Sequence, residues 1–310
     1  MKIFFEFVHR SPILANDETH LHALKAMFWM FQVCQDQRNW AFDEYKKQFH
    51  PFLNSFNPWL TDLQVAVKEL RQRMYESYLI DSDQETILDK AAANYSILSK
   101  IFHKTPAVVF TTNFDTIFEA LRYTRKLDAD ILTGMGGNQP QHFKWANFLH
   151  SQNQKQILVF KLHGSVTWER KQEAIRESFA QLPTPRGGTR IPNVALVEPV
   201  LSKRQADSPF REMYRIFAAV LETNRLCVVI GFSFRDDEIR EMVKRRLDQK
   251  ADFRLLIVAP EDKAHAEINE HLEALAAHSR VTWMKEFFGT PEANQKILSV
   301  VSESAGAGTR

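Results

Sequence analysis

From Thr105 onward the chain repeats one pattern: a short apolar run, then an amphipathic helical stretch. Ala107–Phe110 (AVVF) precedes a helical pattern over Asp115–Arg125, and Ile157–Leu162 (ILVFKL) follows a polar loop. Val194–Val197 (VALV) precedes a helix over Phe210–Glu222, and Leu226–Phe232 (LCVVIGF) precedes one over Asp236–Leu247. Phe253–Ala259 (FRLLIVA) precedes a helix near Ala264–Ala276, and a last strand fits Val281–Trp283. Apolar strands alternating with helices bury both faces of a parallel sheet, so the pattern predicts an α/β fold with one doubly wound parallel sheet. Upstream, Leu21, Leu24, Phe28 and Phe31, and again Leu63, Val67, Leu70 and Met74, recur at helical spacing. Residues 1–104 therefore read as a mostly helical segment, 105–303 as the α/β core, and 304–310 as a disordered tail.

In open parallel sheets ligands sit beyond the carboxyl ends of the strands, so those ends are where chemistry is expected. The first strand delivers Thr111, Thr112, Asn113, Phe114 and Asp115. The second delivers His163, Gly164 and Ser165, and a later one Gly231, Phe232, Ser233 and Phe234, then Asp236 and Asp237. Each group alone has an ordinary structural reading. Asn113 and Asp115 suit the cap of the next helix, and Ser233 with Asp236 also reads as a helix start. A lone His163 reads as a satisfied loop histidine. Their joint placement at three strand ends points to a site.

TTNFD (Thr111–Asp115), KLHGS (Lys161–Ser165) and VVIGFSFRDDEI (Val228–Ile239), in that order, resemble the sirtuin-like superfamily. The resemblance implies a Rossmann-like core and NAD as substrate or ligand. It implies that His163 is a general base acting on the nicotinamide ribose, and that Asn113 positions the ribose or the attacking water. Thr112 would then bind the cofactor and Asp115 help hold the nicotinamide end, while Gly231 and Ser233 would contact the adenine-side ribose and phosphate. A helical segment ahead of TTNFD and the stretch LVEPVLSK (Leu196–Lys203) are similar to the bacterial branch that cleaves NAD in anti-phage defence. The zinc module of the deacylases has no counterpart, because between the histidine motif and the GFS strand the only cysteine is Cys227, in that strand. No metal and no deacylase activity are expected.

No glycine occurs before Gly134, so the first 133 residues offer no glycine-built nest for a pyrophosphate. GMGG (Gly134–Gly137) falls after TTNFD and reads as a turn. Three alternatives follow for the family's Gly-rich loop: a misplaced start, a fragment, or a degenerate member. The function expected is NAD+ hydrolysis; the alternative is a catalytically silent scaffold that binds a nucleotide or a protein.

The net charge of +2 gives little reason to expect nucleic acid, and the Lys244–Arg246 run (KRR) reads as a solvated helix face. MKIFFEFVHR lacks the pattern of a secretory signal, and AMFWMF (Ala26–Phe31) is far too short to span a bilayer. A cytoplasmic protein is expected, partnered by NAD+ or an ADP-ribose-type nucleotide and not by a membrane. The Met27–Phe31 cluster reads as core; any exposed part of it would serve a homo-oligomer or partner-protein contact.

Overall fold

A computed structural model describes residues 78–80, 84–101, 106–135, 143–148, 155–171, 174–177, 194–196, 208–234, 236–261 and 266–306. The apolar stripes of residues 21–31 and 63–74, and most of LVEPVLSK, lie outside the described residues.

Helix α1 (Glu85–Ile101) leads into β1 (Ala107–Thr111), α2 (Ile117–Thr124) and β2 (Asp130–Leu132). After a 3-10 turn at Trp145–Phe148 come β3 (Gln156–Lys161), β4 (Gly164–Lys171), β5 (Ala174–Glu177) and β6 (Val194–Leu196). The remainder alternates regularly: α3 (Phe210–Thr223), β7 (Leu226–Ile230), α4 (Asp237–Gln249), β8 (Arg254–Val258), α5 (Ala266–Ala276), β9 (Val281–Met284) and α6 (Pro291–Gly306).

The strands form two parallel sheets of three, ordered β1-β3-β2 and β7-β8-β9. The same helices cover both, which makes the two sheets halves of one α/β layer. On one face α1 sends Ala91 and Leu98 against Ala107 and Val109 of β1, and Ile97 and Leu98 into a cluster with Val228 and Val258. On the other face Phe217 of α3 meets Phe110 of β1 edge-on at 5.0 Å and joins the cluster that holds Phe160, Val229 and Ile257. The fold is thus Rossmann-like, with helices on both faces of parallel strands.

Four features correct the sequence-based expectations. The parallel strands do not make one ladder: among the described residues β1 pairs only with β3, and β7 only with β8. Val108 and Ile230 are each 38% exposed, consistent with open outer edges on these two strands. The VALV strand does not join the parallel layer. It becomes β6, and with β4 and β5 it forms a separate antiparallel sheet. An apolar run alone does not reveal which sheet a strand joins. The chain turns at Leu162 and His163, and Gly164 takes φ +87°, a region glycine enters without steric cost. Finally, α6 reaches Gly306, so the expected tail does not begin at residue 304; the Ser304 hydroxyl donates to the Val300 carbonyl at 2.8 Å. Thr290 caps the start of this helix by accepting from the Ala293 N–H, a signal ahead of Pro291 that the sequence reading passed over.

Candidate functional site

Strands β1 and β3 run in parallel with Thr111 opposite Lys161, and the ladder continues as the Leu162 N–H donates to the Thr111 carbonyl at 2.9 Å. Asn113 and His163 each lie two residues past that last pair, beyond the carboxyl ends of the two strands. The next segment closes the link: the Val166 N–H donates to the Phe114 carbonyl at 3.0 Å. The Phe114 ring lies 6.0 Å from the His163 ring, and Tyr78 stands edge-on to Phe114 at 6.2 Å.

His163 is held from the far side by residues of the two helices that flank β7 in sequence. Its Nε2 lies 3.0 Å from the Tyr214 hydroxyl of α3 and 3.1 Å from Asp236 Oδ2 at the start of α4. Tyr214 also reaches Asp236 at 3.4 Å. Burial and the nearby Asp236 and Glu238 carboxylates push the Tyr214 phenol well above its usual range, so it stays protonated and able to donate. A proton on Nε2 directed at Asp236 leaves the lone pair on Nδ1, the tautomer a base requires. The histidine side chain keeps 13% of its surface exposed.

Beneath the histidine lies a buried polar cluster. Lys161 and Glu119 form an ion pair at 2.9 Å with side chains 1% and 0% exposed. The Lys161 ammonium also donates to the Asp115 carbonyl and to Ser165 Oγ, and Ser165 in turn donates to Glu119 at 2.9 Å. Arg122 pairs with Glu177 of β5 and donates to Thr133 and Met135. Burial pushes the Glu177 carboxyl up, partly opposed by Arg122.

The remaining candidates fall as follows. Asn113 is exposed; its backbone N–H, not its side chain, bonds to Thr111 Oγ1 at 3.1 Å. Thr112 beside it is half-buried. Asp115 precedes α2, its carboxylate accepting from the Ile117 N–H at 3.1 Å, and its charge adds to the burial that pushes the Tyr95 phenol up to about 12. That contact is a turn just ahead of the helix, whose N-cap position is Thr116, not Asp115. Gly231 takes φ +61°, and a Cβ there would meet nothing within 4 Å. The space off its backbone is therefore open, as the approach of a ribose or phosphate requires. Ser233 is half-buried between Phe232 and Phe234, and the latter takes φ +55°. The structure thus joins the His163 and Asp236 segments by direct hydrogen bonds and the Asn113 segment through the β1–β3 ladder.

Two residues were not singled out from the sequence. Tyr214 gave no signal, since a tyrosine in an amphipathic helix reads as core. Asp236 was read as a helix start, and it does cap α4 by accepting from the Ile239 N–H at 3.4 Å, while its other oxygen faces His163. Among the described residues there is no group of three or more His, Cys, Asp or Glu side chains placed to hold a metal, and no helix long and apolar enough to cross a membrane.

A family model described as a SIR2-like domain matches residues 107–284, more than half of the chain. No curated protein matches the sequence.

Proposed function

We propose, from the premise that the chain belongs to the SIR2-like domain family, that it binds NAD+ across the ends of β1, β3 and β7 and cleaves the nicotinamide–ribose bond. The observation that carries this reading is the histidine: His163 sits at the end of β3, held by Asp236 and Tyr214, with exposed Asn113 beyond the end of the neighbouring β1. In this reading His163 accepts a proton from the nicotinamide ribose. Asn113 aligns the water that adds to C1′, the bonding pair leaves with nicotinamide, and the proton the water sheds returns to the ribose oxygen. Thr112 binds the cofactor, and Asp115 helps hold the nicotinamide end. The open backbone at Gly231, with Ser233 beside it, receives the adenine-side ribose and phosphate. Catalysis of this kind rests on positioning and preorganised charge. The helical stretch ahead of TTNFD and LVEPVLSK support a bacterial defence setting.

Nicotinamide release from NAD+ by the full chain tests the reading. His163→Ala and Asn113→Ala should each lower the rate, by roughly 10²–10⁴-fold for the base, with the far-UV spectrum unchanged. Unaltered release by a folded His163→Ala variant would overturn it. The glycine-free first 133 residues favour a second reading, a silent nucleotide-binding scaffold. Saturable ADP-ribose binding with no nicotinamide release by the parent chain would select it.

A further inference from the structure

Helices α3 and α4 splay apart on one face of the layer and leave a cleft of about 380 Å³. Its walls carry Arg211, Tyr214 and Arg215 from α3, and Met242, Arg245 and Arg246 from α4. Glu222 and Glu238 are the acids at its rim, so arginines outnumber carboxylates two to one. The sequence suggested that Lys244–Arg246 is a solvated face. Lys244 and Arg245 are indeed exposed, but Arg246 is buried with 7% of its surface accessible. Its guanidinium lies over the Phe253 ring at 5.4 Å and donates to the Asn224 carbonyl at 3.0 Å. Its Nε has no acceptor, and no carboxylate pairs with it, among the described residues. A buried cation without a counter-ion is costly. Arg215 and Arg245, at the mouth, likewise make no ion pair or hydrogen bond among the described residues.

We propose that this cleft is an anion site for a diphosphate-bearing ligand, separate from the strand-end site around His163. Guanidinium forks match phosphate oxygens in pairs, and the volume falls within the range of small-molecule pockets. Tyr214 belongs to both places: it is one of the residues lining the cleft, and its hydroxyl bonds His163 and Asp236. Occupancy of the cleft therefore reaches the histidine through Tyr214. That link deepens the proposed function and rests on it, whereas anion binding does not.

Inorganic pyrophosphate is the probe, titrated calorimetrically into the full chain. The expected result is one saturable site that the exposed-residue double variant Arg215→Gln/Arg245→Gln weakens tenfold or more. His163→Ala should leave the affinity within twofold. Pyrophosphate should also shift the His163 ring resonance, identified by its loss in His163→Ala, in the parent but not in the double variant. No binding, equal binding by the double variant, or loss of binding in His163→Ala would overturn the site. Binding without a shift would overturn the link to the histidine. An absence of NAD+ cleavage alters none of the pyrophosphate titrations, so failure of the two readings can be told apart.

Discussion

Asp236 spends its two carboxylate oxygens on two tasks: one caps α4 and the other meets His163. Asparagine caps helices as well as aspartate does but carries no charge to stabilise an imidazolium. Asp236→Asn should therefore leave the urea midpoint nearly unchanged. It should lower kcat for nicotinamide release about 10-fold or more, with little change in KM, because the interaction lost grows as the histidine takes up its proton. An equal fall in stability and activity would mean that Asp236 acts only as a cap. Reading the site from sequence found His163 because a histidine ends an apolar run. It did not find Tyr214, because helical spacing says which face a residue occupies and not what its hydroxyl touches.

At the scale of elements, the polar cluster fastens α2 to β3. Lys161 closes the last β1–β3 pair, and its ammonium holds both Glu119 of α2 and the Asp115 carbonyl. Removing one partner of a buried pair strands the other charge. Lys161→Met should cost about 3–5 kcal/mol in urea unfolding. Lys161→Met/Glu119→Leu should regain most of that loss, and a double variant no more stable than the single would show that the pair is not the origin of the cost. Strands and helices of the second half were legible from period alone: the expected helix over Asp236–Leu247 is observed over Asp237–Gln249. The β4, β5 and β6 sheet was not. Val166, Thr167 and Trp168 follow closely on the apolar run of β3, and only the turn at Leu162 and His163, with Gly164 at positive φ, shows that they belong to a different sheet.

At the scale of the molecule, three strand ends contribute to one edge, where Gly164 and Gly231 are the glycines among the described residues; residues 1–133 contain none. Nests of successive backbone N–H groups are what usually hold a pyrophosphate. Bonds to charged groups contribute roughly 1.5–3 kcal/mol each, and two or three fewer weaken binding by about two to six orders of magnitude. A chain with so few glycines at these strand ends should therefore bind NAD+ weakly. Calorimetry showing low-micromolar or tighter binding to the chain itself would mean that another element cradles the phosphates. The sequence by itself determined the α/β class, the order of the motifs and the delivery of Asn113, His163 and Gly231 to strand ends, because these follow from local hydrophobic period and chain order. Only the tertiary structure decided that the described parallel strands form two ladders, that Asp236 and Tyr214 close on His163, and that Arg246 is buried with no carboxylate partner among the described residues. Those outcomes depend on contacts between residues far apart in the chain, which no local pattern encodes.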